Sequence, residues 1–220
     1  MIESIQQVFH SASNAELAMP MARYMRNQFL FLGIPSPQRR EISKGFRKEV
    51  ALVDEQELNN VVTGLFSLPE REFSYLALDI LQQHRRPIPQ NRIHWLEKLA
   101  VHRSWWDTID PLATQHMGAY FQQWPEDRVY WITRWKASGN FWLQRCAILF
   151  QLKYKANTDK DMLHEILATY ASSDEFFLQK AIGWALREYA KTNPDWVRKT
   201  LATGNWKSLS KREALRHIKA

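Results

Sequence analysis

Two adjacent tryptophans followed by two carboxylates form the stretch of this chain best suited to chemistry. Within the segment 104–111, Trp105 and Trp106 precede Asp107 and Asp110, and a proline follows the second aspartate. Trp106 and Asp110 are four residues apart, so on a helix they lie side by side on one face. An aromatic ring face beside a carboxylate attracts positive charge. The stretch therefore predicts a surface for a positively charged group.

Asp110 and the tryptophan pair also fit structural roles. An aspartate directly before a proline is a common N-cap, so the pattern favours an Asp110 carboxylate that caps a helix beginning at Pro111. The alternative is one continuous helix that is kinked at Pro111 and lacks one backbone hydrogen bond. Adjacent helical residues point about 100° apart, so Trp105 and Trp106 cannot both face one core. One of them is expected to face a groove, whereas Trp131 and Trp142 are expected in the core.

Composition limits the class of protein and the kind of partner. The 220 residues allow one domain or two small ones, and a hydrophobic content of 45% supplies a sizeable core. The formal net charge of +7 favours an acidic partner, either nucleic acid or an anionic membrane surface. Cys146 is the only cysteine, which rules out an intramolecular disulfide and fits a reducing cytosol.

Several classes of site and location are not expected from this sequence. The seven histidines never fall at i, i+4 and form no cluster with the cysteine, so no zinc site is predicted. There is no glycine-rich phosphate loop, and no cofactor is predicted. No apolar run approaches the roughly 20 residues of a membrane helix, and residues 1–10 lack a signal-peptide pattern. We therefore expect a soluble monomer in the cytoplasm.

Almost every segment has helical periodicity, and convincing β alternation is absent. Proline, glycine and serine breakers separate the segments, and Pro20 either kinks its helix or starts it afresh. Ser36 and Pro37 are typical of an N-cap and a first helical residue. The predicted helices are 2–10, 14–27, 37–50, 54–66, 70–85, 88–101, 105–120, 124–136, 140–154, 159–171, 175–190, 193–203 and 208–218.

A period of 35 residues connects the second helices of four predicted pairs. Tyr75, Asp110, Arg145 and Lys180 are each 35 residues apart, and all four lie in second helices. A two-helix unit that repeats at this spacing is typical of an α-solenoid, whose second helices line one concave groove. An irregular helical bundle is the alternative. In the solenoid, Asp110 and Arg145 lie in neighbouring units, so Asp110 is the natural partner of Arg145. Two roles for Arg145 stay open: a buried ion pair with Asp110, or a contact to a phosphate or to the substrate.

Basic residues concentrate at both ends of the repeat array. The predicted helix 37–50 is one dense region, and residues 198–220 hold seven lysines and arginines against a single acid, Glu213. Such runs are usually solvated faces. Two of them on a basic solenoid make nucleic acid the leading partner, bound through phosphates in a salt-sensitive way. Tyr24 could be an ordinary core tyrosine with a satisfied hydroxyl.

Five blocks of this chain together resemble one known family. They are Tyr24-Met25-Arg26-Asn27 leading into Phe31-Leu32-Gly33-Ile34, Ser104 to Asp110, the helix around Arg145, Gln179 to Glu188, and Leu209 to Ala214. In content and spacing they are similar to AlkD-type DNA glycosylases, bacterial DNA alkylation repair proteins built from HEAT-like repeats. The resemblance covers nearly the whole chain and implies a single domain over residues 1–220. Pro111 departs from the family pattern and could rotate the Asp110 carboxylate.

The resemblance also implies roles for particular residues. Asp110 resembles the catalytic carboxylate, Arg145 its companion arginine, and Trp106 and Trp184 the tryptophans that flank the deoxyribose of the lesion. Tyr24 resembles an aromatic that packs near the damaged backbone. The DNA-binding candidates are Tyr24, Lys153, Lys180, Arg187, Lys211 and Arg212.

The implied activity is hydrolysis of the N-glycosidic bond of cationic alkylated bases in double-stranded DNA. The expected substrates are 3-methyladenine and 7-methylguanine, and the expected enzyme is a monofunctional glycosylase with neither strand cleavage nor a base-flipping pocket. By the same resemblance the protein is expected at the nucleoid of the bacterial cytosol. Two alternatives remain: a non-catalytic binder of DNA structures on the same solenoid, and a protein-interaction scaffold, which the net charge disfavours.

Overall fold

The computed structural model describes residues 1–84 and 87–216, and these ranges contain helices but no named strand. The α-helices are α1 Ile2–Ser11, α2 Ala15–Tyr24, α3 Ser36–Ile42, α4 Lys44–Val50, α5 Glu55–Ser67, α6 Arg71–Gln83, α7 Arg92–Val101, α8 Trp106–Pro111, α9 Gly118–Gln123, α10 Arg128–Ala137, α11 Phe141–Leu149, α12 Lys160–Thr169, α13 Phe176–Ala190, α14 Pro194–Thr203 and α15 Ser208–Leu215. A π-helical segment spans Leu112–Met117, and single 3₁₀ turns span Pro125–Asp127 and Lys155–Asn157.

The predicted repeat is visible in where the helices begin. Helices α3, α6, α8, α11 and α13 begin at residues 36, 71, 106, 141 and 176, so each start lies 35 residues after the previous one. Consecutive helices pack in pairs, as α5 does against α6 and α10 against α11. The predicted fold class, an all-α solenoid of two-helix repeats, is confirmed, and the register extends one unit further towards the N-terminus than the sequence pattern showed.

The chain divides into two compact units, residues 1–87 and 88–220. The first unit has its core around Phe9, Phe66 and Phe73, all fully buried. The second has its core around Trp135 and Phe121. The concave groove and the single domain inferred from sequence stay predictions.

Two predicted helices differ from the observed ones near the N-terminus. The predicted helix 37–50 is interrupted at Ser43, which separates α3 from α4. The Ser43 hydroxyl donates to the Arg40 carbonyl and accepts from the Arg47 Nε, and such local side-chain bonds compete with the helical backbone pattern. Helix α2 continues through Pro20 without restarting, and it ends before Asn27, whose φ of 55° is left-handed.

Other boundaries shift towards shorter helices. The predicted helix 88–101 begins only at Arg92, because side chains hydrogen-bond to the backbone of Ile88. The Ile88 N–H donates to the Gln123 side-chain oxygen, and the Gln123 and Trp124 side chains donate to the Ile88 carbonyl. The predicted helix 140–154 ends at Leu149. The predicted ends of helices 70–85 and 208–218 lie outside the described residues.

A buried carboxylate holds the loop between α2 and α3 to helix α6. Glu72 is fully buried, and its carboxylate accepts hydrogen bonds from the backbone N–H groups of Leu32, Gly33 and Ile34. Gly33 has a φ of 82°, and a Cβ there would lie 2.0 Å from the Asn14 carbonyl oxygen. This explains why the resembling block 31–34 needs its glycine, since no other residue fits both the backbone angle and the space.

Replacing Glu72 with glutamine is expected to lower the free energy of unfolding by about 2–3 kcal/mol. The amide carries no charge and offers one acceptor oxygen to three buried N–H donors. Reversible urea denaturation of both proteins measures the difference. Glu41→Gln in the same unit is the matched control because Glu41 is exposed. Equal losses in the two variants would contradict an anchoring role for Glu72.

Candidate functional site

Asp110 lies inside a helix and does not cap one. Helices α8 and α9 and the π-helical segment between them follow one another without a break, and the N-cap of α8 is Trp105. The capping role that the pattern favoured is therefore wrong, and the continuous helix through Pro111 is right. Because Pro111 has no N–H and crowds the preceding turn, the helix widens after it into the π-helical segment, where Gly118 N–H donates five residues back to Ala113.

The Asp110 carboxylate is bound on both oxygens by Arg145 of α11. Arg145 Nε lies 2.7 Å from Asp110 Oδ1, and Arg145 Nη2 lies 2.9 Å from Oδ2. Arg145 also donates to the backbone carbonyl of Phe177, at the start of α13. The predicted partnership across 35 residues is confirmed, and the arginine side chain is only 2% exposed whereas the carboxylate is 18% exposed.

Burial and pairing act on the Asp110 carboxyl in opposite directions. Burial raises its pKa above the ordinary value of 3.8, and the hydrogen bonds and positive charge of Arg145 lower it by less. The negative charge of Asp107 adds a further small increase to the pKa. The result is a carboxylate that is fixed in direction, partly open to solvent, and more basic than an exposed aspartate.

The tryptophans singled out from sequence lie in different environments. Trp105 packs against Phe177, with ring centroids 5.1 Å apart, and against Trp142, which is buried. Trp131 is also buried, so the core predictions for Trp131 and Trp142 are confirmed. Trp106 is the half-buried first residue of α8, one turn before Asp110.

Trp184 of α13 lies beside two cationic side chains. The Arg145 Cζ atom lies 5.2 Å from its ring centroid and the Lys180 Nζ atom 5.8 Å. Both distances are within the range of a cation–π contact. The structure therefore brings together Asp110, Arg145 and Trp184 through direct contacts and places Trp106 on the helix that carries Asp110.

Lys180 and Arg187, two of the predicted DNA-binding residues, share one internal partner. Glu213 of α15 accepts from Lys180 Nζ at 2.9 Å and from Arg187 Nη1 at 3.0 Å. These hydrogen bonds lower the pKa of the Glu213 carboxyl, the bond from Lys180 most. The sequence analysis noted Glu213 as the single acid among seven basic residues, a signal that could have pointed to its role, but did not predict that it binds both cations.

Close packing of α15 on α13 delivers Glu213 to this position. The two helices meet at Gly183, where a Cβ would lie 2.4 Å from the Glu213 Cβ and 3.0 Å from the Ser210 carbonyl oxygen. The Ser210 hydroxyl donates to the carbonyl of Gln179, which adds a polar bond between the helices. Glu213 is consequently 7% exposed.

The remaining DNA-binding candidates lie at the surface. Tyr24 ends α2 in the first unit and is 73% exposed, so the core-tyrosine alternative is wrong. Lys153 is exposed in the turn after α11, and Lys211 and Arg212 are exposed on α15. All four positions suit contact with a solvent-exposed partner.

Two other structural features are absent from the described residues. In residues 1–84 and 87–216, no histidines, cysteines and carboxylates form a group of three or more that could hold a metal ion. Within the same ranges, no helix combines the length and apolar character that crossing a membrane requires.

Comparisons with known proteins agree with the all-helical fold. The family model described as DNA alkylation repair enzyme matches residues 5–218. A solved structure from Enterococcus faecalis, described as a predicted DNA alkylation repair enzyme, superposes with a TM-score of 0.89 at 31% sequence identity. That match covers 94% of this chain and 98% of the other. None of the curated proteins compared matches this chain.

The family match extends over nearly the whole chain. The resemblance seen in the sequence is thereby confirmed, and DNA is the partner that this membership implies. The chain belongs to the DNA alkylation repair enzyme family.

Proposed function

We propose that the protein is a monofunctional DNA glycosylase that hydrolyses the N-glycosidic bond of cationic alkylated bases in duplex DNA. The supporting observation is the Asp110 carboxylate, held on both oxygens by Arg145 beside the Trp184 ring. The proposed substrates are 3-methyladenine and 7-methylguanine, and the proposed state of the enzyme is a monomer.

The chemistry of such a substrate requires little from the protein. A purine alkylated at a ring nitrogen carries positive charge and leaves without protonation by a general acid. Cleavage of its N-glycosidic bond places oxocarbenium character on the deoxyribose, which a fixed carboxylate stabilises. The proposed role of Asp110 is to face this sugar and to orient or deprotonate the attacking water. Neither a lysine nucleophile nor a base pocket is needed.

Arg145 fixes the direction of the carboxylate that the reaction uses. Its two bonds to Asp110 and its bond to the Phe177 carbonyl leave the aspartate a single orientation. In the proposed complex, the half-buried rings of Trp106 and Trp184 flank the deoxyribose, and each ring face stabilises a cationic sugar by roughly 0.5–2 kcal/mol.

DNA binding is proposed to use exposed basic residues and Tyr24. Lys153, Lys211 and Arg212 carry unshielded charges that suit phosphate contacts. Lys180 and Arg187 already share Glu213, so together with it they supply one net positive charge where the sequence suggested two.

Release of 7-methylguanine and 3-methyladenine from methylated duplex DNA tests the proposed function. We expect the free base to appear while the strand stays intact until it is treated with alkali. Salt-sensitive binding to abasic or branched DNA without any base release would instead indicate the non-catalytic DNA binder.

Base release is expected to fall at acid pH, with a midpoint above the ordinary aspartate pKa of 3.8. The reaction needs the ionised Asp110 carboxylate, and burial raises its pKa, so protonation removes activity earlier on acidification than it would for an exposed aspartate. Single-turnover rates, corrected for spontaneous base loss at each pH, measure the midpoint.

Asp107→Asn supplies the comparison for this pH profile. The negative charge of Asp107 raises the pKa of Asp110, so the variant is expected to move the midpoint towards lower pH. Two results would contradict the assignment of the loss of activity at acid pH to Asp110. One is a midpoint in the variant equal to that of wild type, and the other is a wild-type midpoint below pH 3.8.

A further inference from the structure

A chain of charged side chains continues from the catalytic candidate to the last described helix. Asp110 binds Arg145, Arg145 and Lys180 both lie over the Trp184 ring, and Glu213 binds Lys180. Glu213 also binds Arg187, one turn beyond Trp184 on α13. We refer to these six residues as the charge chain. It contains three cations and two carboxylates, so its net charge is +1 when all five groups are ionised.

This charge presents a conflict for the proposed reaction, on which the present inference rests. Positive charge beside Trp184 attracts DNA phosphates, whereas the same charge repels a deoxyribose that becomes cationic in the transition state. Arg145 is already neutralised by Asp110. Without a second carboxylate, Lys180 and Arg187 would leave the charge chain at +2.

We propose that Glu213 is a positioning residue that sets the charge of this site, lowering DNA affinity in exchange for stabilisation of the cationic reacting sugar. Its carboxylate binds the two flanking cations, not the Trp184 ring or Asp110. It acts through Lys180 and Arg187, whose charges it offsets and whose side chains it directs.

The packing around Glu213 favours a permanent role over displacement by DNA. The glutamate is 7% exposed, Gly183 leaves no room for a Cβ between α13 and α15, and Arg187 Nη1 also lies 3.4 Å from the Glu213 carbonyl oxygen. Displacement of the glutamate itself would require these helices to separate. The carboxylate therefore stays at this position, where it offsets positive charge from Lys180 and Arg187.

The test compares Glu213→Gln with wild type in two assays. The glutamine has nearly the same shape but leaves the charge chain at +2. With unmodified duplex DNA, the plot of log affinity against log salt is expected to steepen by about 0.9, the value for one additional phosphate contact. Affinity at low salt is expected to rise about fivefold. Single-turnover release of 7-methylguanine is expected to fall about tenfold.

Glu188→Gln is the matched control. Glu188 lies on the same helix α13, and its removal deletes one negative charge and unpairs one cation, Lys191, without touching the charge chain. It is expected to change the salt slope and the release rate much less than Glu213→Gln. Circular dichroism melting of both variants establishes that each is folded at the assay temperature.

Opposite signs in the two assays separate a charge role from a packing role. If Glu213→Gln only loosens α15, affinity and release fall together, and the proposal is overturned. It is also overturned if Glu213→Gln and Glu188→Gln behave alike.

The double variant Lys180→Gln/Glu213→Gln restores the net charge of +1. Its salt slope should therefore return towards the wild-type value, and a slope that stays steep contradicts the charge assignment.

Failure of the proposed function gives a different result. If the wild type releases no base from methylated DNA, the glycosylase proposal fails. The salt slope on unmodified DNA still decides whether Glu213 sets the charge of the site, because that assay requires no base release.

Discussion

Replacing Asp110 with asparagine is expected to reduce the rate of 7-methylguanine release by about 10²–10³-fold, the usual loss when one preorganised group that stabilises transition-state charge is removed. Asparagine has nearly the same shape and still offers one acceptor oxygen to Arg145, so the position of the helix is preserved. Only the negative charge that would face the oxocarbenium-like sugar is lost. Single-turnover release from methylated duplex DNA measures the effect.

Asp107→Asn is the matched control for this substitution. It removes the same charge from the same short helix α8, one turn from Asp110, and is expected to keep base release within a few-fold of wild type. Because asparagine leaves the buried Arg145 charge uncompensated, Asp110→Asn is also expected to lower the free energy of unfolding by about 3 kcal/mol. Rates must therefore be compared at a temperature where all three proteins are folded. Equal rates in wild type and Asp110→Asn would exclude Asp110 as the catalytic carboxylate.

Replacing Arg145 with glutamine is expected to give the largest loss of stability, about 3–5 kcal/mol, because it breaks a buried ion pair by removing one partner. The arginine side chain is 2% exposed and binds both Asp110 oxygens and the Phe177 carbonyl. Without it, two influences that lower the pKa of Asp110 disappear, so that pKa is expected to rise further. Denaturant unfolding and the pH profile of residual base release measure the two effects.

Arg134→Gln provides a contrast between a buried and an exposed pair of the same geometry. Arg134 also binds a carboxylate through two nitrogens, with Glu97 at 3.0 and 3.3 Å, but its side chain is 54% exposed. Solvent screens such a pair, so the unfolding midpoint is expected to change little. A loss as large as that of Arg145→Gln would show that burial does not set the strength of the Asp110–Arg145 contact.

Arg145→Lys separates the charge of the arginine from its geometry. Lysine keeps a positive charge near Asp110 but cannot make two parallel hydrogen bonds to one carboxylate. The pH at which base release by Arg145→Lys falls to half on acidification is therefore expected to lie between the values for wild type and Arg145→Gln. Base release is expected to remain well below wild type because the carboxylate loses its fixed direction.

Much of the fold could be predicted because it depends on local features of the sequence. Helix positions follow from apolar periodicity and from prolines and capping residues, and the starts of α6, α8, α11 and α13 repeat at the predicted interval. The break at Ser43 and the late start of α7 could not be predicted in the same way. They depend on side-chain hydrogen bonds that alter the backbone pattern locally, including bonds from Gln123 and Trp124, 35 and 36 residues away.

The sequence predicted which residues pair at the candidate site but not which charges are offset there. The 35-residue register was enough to pair Asp110 with Arg145, and the pair forms as predicted. The same register placed Lys180 on the corresponding turn, yet it could not show that Lys180 and Arg187 share Glu213. That carboxylate comes from a helix outside the repeat pattern, brought close by the absence of a side chain at Gly183.

The sequence by itself determined the all-α repeat and the residue types at the tryptophan–aspartate stretch, because these follow from local pattern and spacing. Only the tertiary structure decided how the Asp110 side chain is held. The sequence pattern favoured a helix cap, and the structure shows instead a half-buried carboxylate paired with Arg145 in a helix that widens after Pro111. The physical reason is that side-chain direction, desolvation and charge pairing are set by neighbouring helices. Those neighbours come from α11 and α13, far along the chain from the stretch itself.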